Sequence, residues 1–227
     1  MRGGQPYPFF LAHPLQVSTE QLDTLLGPPS EWQIEWKWDG IRAQVVKREG
    51  QLWVWSRGEE LVTERFPELH SLAQTLPDGV VLDGEILVWK PGGSAAELAV
   101  QPFALLQQRL GRKTLGKKLL SDAPVVLQAY DLLEWQGEDW RSRPQHARRQ
   151  QLEQVLEQHP LAPGIALASA RRPGLGRPCP PARTVPQPGG GRADAETARG
   201  VVWRGAHQGH GAPGGSGRST RSASMPC

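Results

Sequence analysis

At 227 residues, with 22% charged and 38% hydrophobic positions and a formal net charge of +3, the chain can bury a core, and its overall charge points to no partner. No run approaches the ~20 apolar residues of a membrane span, and Pro8-Phe9-Phe10-Leu11-Ala12 is too short for a signal-peptide core. Cys179 and Cys227 form no C-x-x-C pair and no ligand spacing, which argues against a disulfide framework or zinc site and makes a reducing, cytoplasmic setting the expectation.

In chain order, residues 1–30 read as a lead-in segment. Trp32-Gln33-Ile34-Glu35-Trp36-Lys37-Trp38-Asp39 then alternates with period two. Trp32, Ile34, Trp36 and Trp38 take one face; Gln33, Glu35, Lys37 and Asp39 take the other. That is a half-buried strand whose tryptophan side packs inward and whose polar side lines something wet. Gly40 supplies a bend, Ile41 to Lys47 a second strand, Glu49-Gly50 a hairpin turn, and Leu52 to Ser56 a third strand. Thr63 to Leu76 reads as a helix with Phe66, Leu69, Leu72, Ala73 and Leu76 on its inner side. After a turn at Pro77-Asp78-Gly79, Val80 to Trp89 is a strand and Pro91 to Ala96 a loop. Phe103 to Leu110 and Leu115 to Leu120 are short helices, Val125 to Trp135 a further strand, and Arg143 to Gln158 an amphipathic helix with Leu152, Val155 and Leu156 inward. Strands and hairpins interspersed with helices, without a βαβ rhythm, predict an α+β fold of largely antiparallel sheets with flanking helices.

The text changes after Leu161. Up to that residue 17 basic positions stand against 21 acidic ones; beyond it, 9 Arg face only Asp194 and Glu196, and no Lys follows Lys118. Gly and Pro make up 22 of the last 66 residues, and no periodicity survives. Such a segment buries too little apolar surface to offset chain entropy. Residues 162–227 are therefore expected to be a low-complexity, disordered tail, with a basic nucleic-acid arm as the alternative. The domain reading is a lead-in over 1–30, an ordered domain over 31–161 and the tail beyond.

Lys37-Trp38-Asp39-Gly40 offers an amine on a sheet face. A lysine attacks the α-phosphate of a nucleotide only when neutral, from an ordinary pKa of ~10.4. Partial desolvation near Arg42 and a divalent cation would lower that value. The product is a lysyl phosphoramidate, which can pass the nucleotide on. Glu35, Lys37 and Asp39 stand ~6–7 Å apart along the face. Arg57, in Ser56-Arg57-Gly58, can hold a sugar or phosphate oxygen. Glu85, in Asp83-Gly84-Glu85, is a carboxylate inside an apolar strand and needs a ribose hydroxyl, a metal or an arginine. Tyr130, in Ala129-Tyr130-Asp131, can stack on a purine. Each has a plain alternative when taken alone: a surface strand for the lysine, a surface turn for Arg57, a solvent-facing carboxylate for Glu85 and a core tyrosine for Tyr130.

Together and in this order, over roughly Pro6 to Gln158, the four words resemble the nucleotidyltransferase motifs shared by ATP-dependent DNA ligases, RNA ligases and mRNA capping enzymes. Lys37, Asp39, Gly40 and Arg42 match K-x-D-G-x-R. Longer words, such as Glu35-Trp36-Lys37-Trp38-Asp39-Gly40-Ile41-Arg42 and Ala129-Tyr130-Asp131-Leu132-Leu133-Glu134, look especially like bacterial ATP-dependent DNA ligases. The resemblance implies an ATP-grasp-like adenylation domain that uses ATP and Mg²⁺. AMP would move to Lys37, then to the 5′-phosphate of nicked double-stranded DNA, and the 3′-hydroxyl would displace it, joining strands in repair, recombination or replication. By that resemblance Glu35 recognises the adenine amino group, Arg57 contacts the ribose or the nicked-strand phosphate, Glu85 binds the ribose and helps place metal, and Tyr130 stacks on the base.

Two later motifs of that family, E-G-hydrophobic-hydrophobic-x-K and the lysines on the phosphates, have no match. The nearest text is Gly200-Val201-Val202-Trp203-Arg204, with no preceding Glu and no Lys. The family's OB-fold and helical DNA-binding domain have no counterpart either, so the domain is expected to be incomplete. A reading-frame shift soon after Leu161 and severely impaired self-adenylylation are the further expectations. The alternative functions are an RNA ligase or capping-type nucleotidyltransferase, and a catalytically dead nucleic-acid-binding fragment.

Overall fold

Two sheets form among the residues that the computed structural model describes, which are 3–10, 13–14, 24, 32–89, 100–112, 114–158, 165–167, 198–205 and 222–225. The larger sheet contains β3 (Ile41–Arg48), β4 (Gln51–Ser56), β5 (Val80–Val88), β6 (Val125–Trp135) and β7 (Glu138–Asp139). Its order is β4-β3-β5-β6-β7, every neighbour antiparallel, and β8 (Ile165–Leu167) joins β6 in parallel. The smaller sheet runs β1 (His13–Pro14), β10 (Ser222–Met225), β9 (Ala198–Gly205), β2 (Trp32–Trp38), antiparallel except where β1 meets β10. The fold is α+β with largely antiparallel sheets and flanking helices, as the patterning predicts.

The apolar runs explain the layering. Every residue of β6 except Trp135 is buried, because the strand is covered on both faces. On one face Val45, Leu82, Ile86, Leu127 and Leu132 pack with Phe66, Leu69, Leu72 and Leu106, and with Leu152 and Val155 of the helix Gln145–Gln158. The other face carries two smaller apolar clusters. Tyr7, Val46, Val81 and Leu133 pack with Trp53 and Trp55; Leu87, Val126 and Val100 pack with Trp38 and Trp89. A polar row lies between them.

Two helix expectations need correction. The helix expected over Thr63 to Leu76 is two 3₁₀ turns, Thr63–Arg65 and Pro67–Ser71, followed by one short helix, α1 (Leu72–Thr75). Pro67 forces Phe66 out of the helical region, to φ −131° and ψ 64°, yet Phe66, Leu69 and Leu72 still point inward. After α2 (Phe103–Leu110), α3 spans Lys117–Asp122, two residues later than the spacing suggests, and α4 is Gln145–Gln158. Segment Gly3–Phe10, within the lead-in, is tied to the larger sheet. The Gln44 amide grips both backbone groups of Tyr7, accepting from its N–H at 2.8 Å and donating to its carbonyl at 3.0 Å, while Trp55 Nε1 donates to the Gly4 carbonyl. Within residues 162–227 the described residues are β8, β9 and β10. Overall composition argues against order there, but Val201-Val202-Trp203 is a short β-favouring run that pairs along the edge of β2. Cys179, Cys227 and the loop Pro91 to Ala96 lie outside the described residues. No helix among the described residues is long and apolar enough to cross a membrane.

Candidate active site

Sheet register assembles the polar row. Arg42 on β3 pairs with Glu85 on β5, Gln44 with Asp83, and Glu85 with Gln128 on β6. Directly opposed residues share a face, so Arg42, Asp83, Glu85 and Gln128 look out on the same side. Arg42 is the centre of the group. Its Nη2 donates to Asp83 Oδ2 at 2.7 Å and its Nε to Oδ1 at 3.3 Å, while Nη1 donates to the Phe10 carbonyl. The guanidinium carbon stands 6.0 Å from the Tyr130 ring centre and 5.7 Å from that of Phe9, within cation–π range. Burial disfavours its charge, but the carboxylates of Asp83 and Glu85 outweigh that and hold Arg42 protonated, above its ordinary range.

The two motif glycines are dictated by space. A Cβ at Gly40 would lie 2.4 Å from the Ile86 carbonyl oxygen, 2.7 Å from Leu87 Cδ2 and 2.9 Å from Glu85 Cγ. One at Gly84 would lie 2.7 Å from the Gln128 carbonyl oxygen. The bend after β2 is thus seated on the strand that carries Glu85, and Trp38 packs with Leu87 and Val126 beside it.

The other expected residues are distributed as follows. Lys37 belongs to β2 and lies where the pairing with β9 shifts register, between Trp36 opposite Val201 and Trp38 opposite Ala198; its side chain lies outside the described residues. The segment that pairs there, Ala198–Gly205, contains Arg199 and Arg204 but no acid and no lysine. Asp39 is half-buried at the bend. Arg57 is exposed on the turn after β4, and its backbone N–H donates to the Arg42 carbonyl at 3.0 Å, which fixes the Ser56-Arg57-Gly58 turn to the strand bearing Arg42. Glu85 is partly exposed and Tyr130 is buried.

Glu35 departs from expectation. The alternation of β2 predicts a wet polar side, yet Glu35 is only 4% exposed. Its Oε1 accepts from Arg149 Nη1 of α4 at 3.1 Å and from Gln33 Nε2. Arg149 Nε in turn donates to Glu153 at 2.8 Å. Period-two alternation separates two faces but does not say which residue is covered, and here Arg149 of α4 covers Glu35 with a compensating cation.

Sequence reasoning missed Arg148 and Arg149. Arg148 forms a buried, two-pronged pair with Asp131, Nε to Oδ1 at 2.9 Å and Nη2 to Oδ2 at 3.0 Å. Adjacent arginines of one helix therefore hold β6 beside Tyr130 and β2 beside Lys37. The signal was present: both fall at inward positions in the pattern Gln145, Arg148, Arg149, Leu152, Val155, where a charge implies a buried partner. The buried Arg48–Glu134 pair was missed as well. Arg48 donates to Glu134 at 2.6 and 2.9 Å, the Tyr7 hydroxyl donates to the same carboxylate at 2.6 Å, and Arg48 also binds the Gly3 and Gln5 carbonyls. Among the described residues no three His, Cys, Asp or Glu side chains group as a metal site.

Comparisons with known proteins bear on the family and the fold. The family model described as "ATP dependent DNA ligase domain" matches residues 10–168. A probable DNA ligase of Sorangium cellulosum (strain So ce56) is 34% identical over 173 residues, covering 74% of this chain and 32% of that protein. A probable DNA ligase of Opitutus terrae is 40% identical over 124 residues, covering 54% of this chain and 12% of that protein. The chain therefore spans about a third or less of the length of these relatives. Among solved structures, a mycobacterial DNA ligase D complexed with ATP and MES superposes with a TM-score of 0.58 at 24% identity, covering 87% of this chain and 55% of that one. The ligase domain of M. tuberculosis LigD gives 0.56 at 24% identity, covering 87% and 54%. At that identity the likeness bears on the fold.

Proposed function

We propose a function for this chain from a premise carried by its match over residues 10–168: it belongs to the family of ATP-dependent DNA ligase domains. Residues 31–161 act as the front part of an adenylation domain, preceded by the lead-in 1–30 and followed by the tail 162–227. ATP binds on the face of Arg42 and Glu85, with its base on Tyr130, its ribose at Glu85 and its phosphates towards Arg57. Glu35, Asp39 and Gly40 shape the strand and bend that present Lys37. The neutral Lys37 amine attacks the α-phosphorus, the bond to pyrophosphate breaks, and the nitrogen loses its proton. The phosphoramidate then passes AMP to the 5′-phosphate of nicked double-stranded DNA in the cytoplasm, for strand joining.

The observation that supports this reading is the Arg42–Asp83 clasp with Tyr130 beside it. It joins K-x-D-G-x-R, D-G-E and A-Y-D on one face, three words distant in sequence. Mg²⁺ fits as an ion that arrives with the nucleotide. It takes one or two carboxylates plus phosphate oxygens and water; both oxygens of Asp83 are committed to Arg42, and Glu85 is the partly exposed acid of the row. Neutralising phosphate charge is the chemistry it would supply.

Self-adenylylation should be weak, because β9 supplies neither the acid nor the lysine of the family's later motifs. The test incubates the purified chain with α-labelled ATP and Mg²⁺, with Lys37→Ala as control. Label retained through denaturation in the wild type alone is expected. No label in either protein overturns the reading in favour of a dead nucleic-acid-binding fragment, and label taken from GTP rather than ATP favours a capping-type enzyme.

A further inference from the structure

Four side-chain atoms are buried without a hydrogen-bond partner among the described residues, and one of them, Gln128 Oε1, is on the face just described. The others, Thr75 Oγ1, Trp140 Nε1 and Gln145 Nε2, lie on α1, in the segment after β7 and on α4. Gln128 is 1% exposed, sits directly across from Glu85, and precedes Tyr130 by two residues on β6. A buried amide oxygen left unpaired costs as much as a lost hydrogen bond, so native interiors rarely keep one. In a binding face such an atom is one whose donor comes with the ligand.

We propose that Gln128 is a specificity-determining residue that accepts a hydrogen bond from a ribose hydroxyl of the nucleotide. The proposal rests on the reading of this face as an ATP site and names which part of ATP is recognised there. Glu85 and Gln128 Oε1 are acceptors at directly opposed positions, ~5 Å apart at Cβ. Their ligand must therefore bring donors. Phosphate oxygens bring none. Adenine brings a single amino group at its edge, and its flat face is assigned to Tyr130 in that reading. A ribose brings two hydroxyls on adjacent carbons, each a donor, and it is joined directly to the base. With the base on Tyr130, the sugar is the group within reach of two acceptors one strand step away.

The test is thermal melting of the full chain with ATP, 2′-deoxy-ATP and 3′-deoxy-ATP, for the wild type and for Gln128→Leu, a substitution of similar size. The wild type is expected to bind ATP about ten-fold more tightly than one of the deoxy analogues, the order commanded by a single hydrogen bond to a buried acceptor. Gln128→Leu should lose that preference, and without nucleotide it should melt a few degrees higher, because the unpaired amide is gone. The proposal fails if wild type takes ATP and both analogues equally, a result that needs no variant to fold. It fails too if Gln128→Leu keeps the full preference. If ATP shifts the melting of neither protein, the ATP-site reading itself falls and takes this inference with it, an outcome distinct from the other two.

Discussion

Replacing Gly40 with alanine tests whether the bend after the Lys37 strand is seated on β5. The new methyl would sit 2.4 Å from the Ile86 carbonyl oxygen, against an ordinary van der Waals contact of about 3.4 Å, so something must open by about 1 Å. None of the three neighbours on that side is the far end of a long, free side chain. The closest atom is backbone, and the others are Leu87 Cδ2 at 2.7 Å, within a packed cluster, and Glu85 Cγ at 2.9 Å. Overpacking of this kind costs about 1–3 kcal/mol, and each kcal/mol lowers the melting midpoint of a chain this size by about 2–4 °C. The displaced atoms belong to Glu85 and to the bend after Lys37, and a misplacement of about 1 Å in a reacting site costs on the order of a hundred-fold. Gly40→Ala should therefore melt lower and lose the melting shift produced by ATP, while circular dichroism shows the sheet retained. Gly111→Ala is the control, because its methyl meets only the Gln107 carbonyl at 3.7 Å, an ordinary contact. Equal midpoints and equal ATP shifts for the two variants would refute the reasoning.

Two further outcomes test the buried ion pairs. Asp131→Ala strands Arg148, whose side chain is 3% exposed, and should cost about 3–5 kcal/mol in urea unfolding; joint replacement of Asp131 by Leu and Arg148 by Met should recover most of it, and a single-variant loss below about 1 kcal/mol would contradict the pairing. Burial and the adjoining Glu134 carboxylate hold the Tyr7 hydroxyl well above its ordinary value of 10.0, so the folded chain keeps this proton longer than the unfolded one. Stability from that source is complete below pH 10.0 and declines as pH rises beyond it; Tyr7→Phe should show a shallower alkaline decline in melting midpoint, and identical slopes would reject the assignment.

Local elements were legible where periodicity or turn chemistry writes them: β5, β6, α2 and most of α4 lie where the patterns place them. What escaped was mainly partnership. Alternation separates the two faces of β2, but it does not say that α4 covers Glu35. Amphipathic spacing in α4 was read from its leucines and valine, which hid the message of Arg148 and Arg149 at inward positions. Segment Gly3–Phe10 has no periodicity, because a glutamine side chain on β3 holds its backbone, and nothing local announces that.

The same limit applies to the site itself. Its residues are legible as motif members, but which of them meet depends on strand register between positions 41 residues apart. A slip of two residues would keep every side chain on its face and set Arg42 opposite Asp83 or Leu87 instead of Glu85. The contact that opposes such a slip is the seat of Gly40 on the Ile86 carbonyl, while that of Gly84 on the Gln128 carbonyl holds β5 against β6, since a Cβ at either place forces its neighbour away. Read along the sequence, these glycines mark a bend and a gap between two acids. Read across the sheet, they pin the strands so that an arginine, two carboxylates and a glutamine share one face.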